Sequence, residues 1–180
     1  ALLILTVFIS TAFVANSQDF PWEWGDITEE IKNLEICELD SSADAVVICN
    51  YGINNAKGFT SFIRIKILTE KGLKYANVSS PVTYGSDLKI EGQTINFDQD
   101  GKKIIYKLEG ENIYDEYIIE KFKRKKFALP NVKVGSVIEY SYSTHWPVYS
   151  WEFQKELPVL WSEYIVNLPY NTDIYHIDLY

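Results

Sequence analysis

FALPNVKVGSVIEYSY, Phe127 to Tyr142, decides the fold. An apolar run is closed by Pro130-Asn131, a hinge follows at Val134-Gly135, and then the chain alternates. Ile138, Tyr140 and Tyr142 point one way and Glu139, Ser141 and Ser143 the other, the period-two pattern of a half-buried strand. WEFQKELPVLWSEYIVNLP, Trp151 to Pro169, likewise predicts strand. Pro158 and Pro169 interrupt it, which makes it an edge strand or one broken at a corner.

Outward from these blocks the pattern repeats. Phe59 to Thr69 alternates, with Phe59, Ile63, Ile65 and Ile67 on one face and Thr60, Arg64 and Lys66 on the other. Lys71-Gly72 is expected to turn the chain into a strand from Leu73 to Val78. Asp100-Gly101, between INF and IIYKL, is the strongest hairpin signal, because a two-residue turn needs positive φ at both positions. Glu109 to Asn112 marks another turn. One short helix from Ile27 to Lys32 is predicted by the D-x-x-E capping box at Asp26 and Glu29, with Ile27, Ile31 and Leu34 at helical spacing. Roughly ten short strands with polar turns describe an all-β sandwich or barrel.

Several of these pieces resemble a known family, a domain of unknown function found N-terminal to a transglutaminase-like domain in secreted Gram-negative envelope proteins. The carriers are FALPNVKVGSVIEY and the spacing of Phe153, Gln154, Pro158, Ser162, Glu163 and Tyr164. ELDSSADAVVICNYG (Glu38 to Gly52) and FIRIKILTEKGLKYANVSSP (Phe62 to Pro81) resemble its early strands, in the expected order. The resemblance covers most of the chain after Asn33. It implies an immunoglobulin-like antiparallel β-sandwich acting as an accessory to a downstream domain with a Cys-His-Asp triad. It carries no catalytic residue onto this chain.

The opening ALLILTVFISTAFVA is uncharged, and Ala15 and Ser17 supply an A-x-S cleavage pattern before Gln18. Residues 1–17 therefore predict a secretory signal peptide lacking its n-region, with an uncleaved anchor as the alternative. The run is shorter than the ~20 apolar residues of a membrane span, so no integral span is expected in the mature chain. Export to the periplasm, cell envelope or extracellular space follows. Residues 18–33 form an N-terminal segment with the short helix, and 34–180 the sandwich. Asp173 to Tyr180, DIYHIDLY, ends as a strand without a closing turn, so the sandwich is expected to be cut before its last strands and its downstream domain. Of 180 residues, 163 remain after the signal, enough to bury roughly 70% of the unfolded surface without metal or disulfide. A net charge of −8 and a pI of about 4.8 argue against nucleic acid as a partner.

Cys37 and Cys49 flank Asp40 to Asp44. In a hairpin they would face one another, and a bridge would contribute on the order of 3 kcal/mol. The other reading is two small apolar residues buried separately. No CxxC and only two histidines leave no zinc motif, and neither metal nor cofactor is expected. Cys37 or Cys49 with His145 or His176 supplies the letters of a thiol triad, but neither Cys stands where a helix N-terminus would lower its pKa. This chain is therefore expected not to be an enzyme, whatever its full-length parent does.

Asp98, Asp100 and Gly101 lack the regular ladder of a calcium loop and fit the hairpin turn. Glu111, Asp115, Glu116 and Glu120 are expected to form a solvated face, and Glu163 a buried hydrogen bond or ion pair. Lys121, Lys123, Arg124, Lys125 and Lys126 are expected on an edge strand, where lysines block edge-to-edge pairing. Trp151, Phe153 and Leu157 share one strand parity, which predicts core burial. Trp22 and Trp24, in FPWEWG, are the candidates for an exposed or interdomain contact. Two functions follow. One is a non-catalytic module partnered with the downstream domain of its own polypeptide, the other a glycan- or peptide-binding module using exposed aromatics.

Overall fold

The computed structural model describes residues 23–81, 83, 84, 88–148 and 150–167. Ten strands among them form two sheets with one short helix, an all-β sandwich as the alternation predicts. The larger sheet has the order β10-β1-β2-β9-β5-β6. These are β1 (Ala45–Asn55), β2 (Gly58–Ile67), β5 (Lys89–Phe97), β6 (Lys103–Lys107), β9 (Val137–Thr144) and β10 (Ser162–Val166). All its neighbours run antiparallel except β10 on β1. In the smaller sheet β8 (Phe122–Ala128) is central, with β7 (Ile113–Ile119) on one side and β3 (Asn77–Ser79) and β4 (Thr83–Tyr84) on the other.

Between the sheets lies an apolar core. Ala45, Val47, Ile63, Ile65, Ile67 and Ile138 of the larger sheet meet Phe127 and Leu129, with Val78 and Ile113 at its margin. The opposite face of the larger sheet is also covered, by residues 23–44. There Val46, Ile48, Ile95 and Val137 pack with Ile31 and Cys37, while Cys49, Tyr51, Ile53 and Phe62 pack with Trp24 and Trp161. A register shift between Val47 and Cys49 inserts one extra residue into β1. That bulge inverts parity, so Val46 before it and Cys49, Tyr51 and Ile53 after it line the same face.

Local chemistry explains the departures from expectation. The helix α1 (Glu29–Lys32) starts at Thr28 rather than Asp26, with the Thr28 hydroxyl accepting from the Ile31 amide at 3.3 Å. Glu70–Ala76 forms 3-10 turns, not strand, and only Asn77–Ser79 pairs with β8. The β5–β6 hairpin does form, but over the five residues 98–102. Asp98 Oδ1 accepts from the amides of Asp100 and Lys102, and only Gly101 has positive φ, +75°. The β7–β8 hairpin turns at Glu120-Lys121, which carries no glycine, proline or asparagine, and Glu120 takes φ +38°.

Residues 151–161 are not a strand. Gln154 receives the Val159 amide on Oε1 and donates Nε2 to the Val159 carbonyl, closing a loop that is docked on β1 by Val47 N–H to Pro158 O at 2.9 Å. Leu157 is buried and Trp151 half-buried, but Phe153 is exposed, because strand parity does not survive a loop. The basic segment is likewise corrected. Phe122–Ala128 is the central strand of its sheet, not an edge.

Candidate functional site

Arg64 on β2 and Glu139 on β9 are register partners in the middle of the larger sheet, and both side chains are fully buried. Arg64 directs Nε and Nη2 to Glu139 Oε1, each at 2.6 Å, and Nη2 also donates to the Glu23 carbonyl at 2.8 Å. Glu139 Oε2 accepts from Gln93 Nε2 at 2.6 Å and from the Gly25 amide at 2.9 Å. Gln93 stands opposite Glu139 on β5, so three adjacent strands supply the network. Two residues along β2, on the same face, Lys66 Nζ donates to the carbonyls of Lys32 and Gly135, both at 2.7 Å. Burial pushes the Lys66 ammonium down to about 8, and Glu35 opposes the shift.

The centre is occupied by the chain's own groups. All four donors at the Glu139 carboxylate come from the chain, two of them reaching Oε1 from the same guanidinium. Sequence reasoning had set Arg64, Lys66 and Glu139 on the polar face of their strands without singling them out. Gln93 was missed altogether. The available signal was one acid in VIEY and two bases in FIRIK, isolated charges inside two strongly apolar strands.

The two cysteines are not brought together. Cys37 forms an isolated bridge with Asp40, and the antiparallel partner of β1 is β2, so the hairpin that would oppose Cys37 and Cys49 does not exist. Both thiols are free and buried, in different apolar clusters. Burial pushes the Cys49 thiol up to about 12, against the opposing charge of Arg64, which favours the protonated thiol at neutral pH. His145 is exposed just beyond β9. His176 and Trp22 lie outside the described residues, as do the signal peptide and the terminal strand expected at 173–180. No group of three or more His, Cys, Asp and Glu able to hold a metal occurs among the described residues. No described helix is long and apolar enough to cross a membrane.

Trp24 is half-buried and packs edge-to-face on Phe62, with ring centroids 5.1 Å apart. Its exposure as a stacking platform is therefore limited. Trp151 lies over Gly52, where an added Cβ would come within 2.5 Å of the indole, and stacks on Tyr164 at 5.2 Å. Its Nε1 donates to Ser162 Oγ at 3.1 Å. The family-like residues Gln154, Pro158, Ser162 and Tyr164 thus hold Val148 and residues 150–161 against β1 and β10.

The acidic and basic stretches meet across the β7–β8 hairpin. Asp115 receives Lys123 at 2.7 Å and Lys125 at 2.9 Å, and Glu116 receives Lys126 at 2.7 Å and Arg124. These cations hold both carboxyls below their ordinary pKa. Four of the five cations of the basic patch, Lys123 to Lys126, are thus paired with carboxylates of β7.

Fold and centre together define an all-β sandwich module whose larger sheet is covered on both faces, one of them around a buried ionic network. Residues 57–177 match the model of the domain of unknown function DUF3857, and the chain belongs to that family. A solved structure from Parabacteroides distasonis, described as a putative protease, matches with 18% identity and a TM-score of 0.43. That match covers 59% of this chain and 24% of the other. No curated protein matches.

Proposed function

We propose that this domain is a non-catalytic accessory module of an exported envelope protein, positioning or shielding a transglutaminase- or protease-like domain that follows it. The reading rests on family membership and on the sequence resemblance to modules preceding such domains. The carrying observation is where the reactive side chains stand. Glu139 and Arg64 are fully buried and bound to one another, and the Cys49 thiol is held protonated by burial. A domain whose polar chemistry is directed at its own architecture acts through its surface and rigidity.

The test compares this chain with a longer polypeptide that continues through the following domain. The sandwich is expected to melt higher in the longer protein, and any thiol-dependent hydrolase or transferase activity to appear only there. Equal melting of the sandwich in both, or activity in this chain alone, would sink the reading. Glycan binding by exposed aromatics is a separate outcome, read as saturable tryptophan quenching lost on Trp22→Ala.

A further inference from the structure

The β7–β8 hairpin carries two features that its place in the fold does not use. From Tyr117 to Phe122, around the Glu120-Lys121 turn, every residue is exposed, and four of the six are large and apolar. Tyr117 is 67% exposed, Ile118 45%, Ile119 69% and Phe122 48%. Contiguous apolar groups left in water mark a contact surface. Behind them stand the cations. Residues 113–128 hold Lys121, Lys123, Arg124, Lys125 and Lys126 against Asp115, Glu116 and Glu120, a net positive segment on a chain of net charge −8.

Both features occur on both faces of the hairpin. Ile113 and Phe127 are register partners that reach the core between the sheets. By alternation Asp115 and Tyr117 share that face with Lys125 and Lys123, whereas Tyr114 and Glu116 share the other with Lys126 and Arg124. Tyr117 is nevertheless in water, so the distal end runs past the core that Ile113 and Phe127 enter. Tyr114 presents a second exposed ring on the outer face. On each face one carboxylate is shared by two cations, which leaves one positive charge in excess. Surface ion pairs contribute little net energy, so these cations can turn to another anion.

We propose that the distal β7–β8 hairpin is a membrane-surface contact. Tyr117, Ile118, Ile119 and Phe122 enter the interface of an anionic phospholipid bilayer, and the cations behind them meet its headgroup phosphates. The two-sided arrangement selects this occupant. A protein surface laid on one face of the hairpin would leave the apolar and basic groups of the other in water, whereas a bilayer closes around an inserted end from both sides. Spacing agrees. At ~3.3 Å per strand residue, Lys123 to Lys126 lie about 3–13 Å behind Phe122, which spans the headgroup layer when a tip is buried ~5–10 Å. Tyr114 and Tyr117 are the ring type enriched at membrane–water interfaces. The acidic remainder of the chain is repelled by the same surface, so the hairpin end leads. This contact is peripheral, needs no spanning segment and stands independently of the accessory-module reading.

The test is co-sedimentation of the full chain with vesicles of phosphatidylglycerol in phosphatidylcholine, against vesicles of phosphatidylcholine alone. Residues 1–17 have no charged side chain and are common to every variant, so the readout is the excess of binding to the anionic vesicles. That excess is expected to be at least tenfold at low salt, to fall as salt rises, and to drop at least tenfold in Ile118→Ser/Ile119→Ser. Lys121→Glu, at an exposed residue with no ion pair among the described residues, should reduce it severalfold. In Ile119→Trp the added indole is expected to shift its emission to the blue with anionic vesicles and to be quenched by brominated lipid tails. Should the serine pair not fold, Ile119→Trp decides. Equal binding to both vesicle types, an excess that the folded serine pair retains, or an Ile119→Trp emission that anionic vesicles leave unchanged overturns the proposal. A chain that ignores anionic vesicles but self-associates through the same two isoleucines also overturns it, with a second copy as the occupant.

Discussion

Ile138 and Glu139 are neighbours on one strand, both fully buried, and they face opposite ways. Ile138 joins an interior of isoleucine, valine and phenylalanine sealed by the second sheet. Glu139 joins Arg64, Gln93 and Lys66 beneath a strap of chain. Equal burial thus has two physical meanings. The apolar side is held by area removed from water and is indifferent to partner geometry. The ionic side tolerates burial only because its donors and acceptors are matched, and its contribution is register and placement more than stability.

The largest effects should separate these faces. Glu139→Ala leaves Arg64 buried without its carboxylate and is expected to destabilise by about 3–5 kcal/mol in urea unfolding. Ile138→Ala is expected to lose about 2–5 kcal/mol through transfer and cavity terms. Adding Arg64→Met to Glu139→Leu should recover most of the loss of Glu139→Ala, while no second change at the ionic face should rescue Ile138→Ala. A double variant as unstable as Glu139→Ala would break the comparison, since it would make the ion pair itself the source of stability.

Gly52→Ala sharpens the same contrast away from charge. The new methyl meets the Trp151 ring at 2.5 Å, and an overpacking loss of about 1–3 kcal/mol is expected, visible as a lower melting temperature. Trp151→Leu in the same chain should restore part of it.

A pH series isolates Lys66. Its folded pKa of about 8 lies below its ordinary 10.5, so between those values the unfolded chain binds more protons and stability contributed at this site rises with pH. Cys49, raised to about 12, and the half-buried tyrosines Tyr140 and Tyr142, also raised, act in the opposite direction above about pH 9–10. The informative quantity is therefore wild type minus Lys66→Met across pH 7 to 10. It should grow more favourable to wild type above pH 8, and a flat difference would show that Lys66 is not desolvated.

The smallest effect is expected at the β7–β8 hairpin, where four cations pair with Asp115 and Glu116 at the surface. Asp115→Asn should lower the melting temperature slightly at low ionic strength and not measurably at high salt. Salt-independent loss there would place this ladder with Arg64–Glu139 instead.

Much of the architecture was legible because alternation is a local property. FIRIKI and VIEYSYST state which side chains share a face whatever covers them. Turns were legible where backbone chemistry demands it, at Pro130-Asn131, where Asn131 takes φ +54°, and at Gly101. The Glu120-Lys121 turn was not, since neither residue advertises positive φ and the cross-strand ion pairs hold the hairpin together. Strand at 151–161 failed for a related reason: Gln154 closes a loop on Val159, and the Pro158 carbonyl docks that loop on Val47 of β1, more than a hundred residues away.

By itself, then, the sequence determined the all-β class, the two-faced strands and the family to which residues 57–177 belong. Only the tertiary structure decided what covers each face. Alternation separates Arg64, Lys66 and Glu139 from the isoleucines, but a polar face can meet water or another polar surface. Which it meets depends on where a distant segment lands, and here residues 23–34 land on it. That choice turns charges readable as a solvated face into a buried network, and it sends Cys37 and Cys49 to separate clusters instead of a common hairpin.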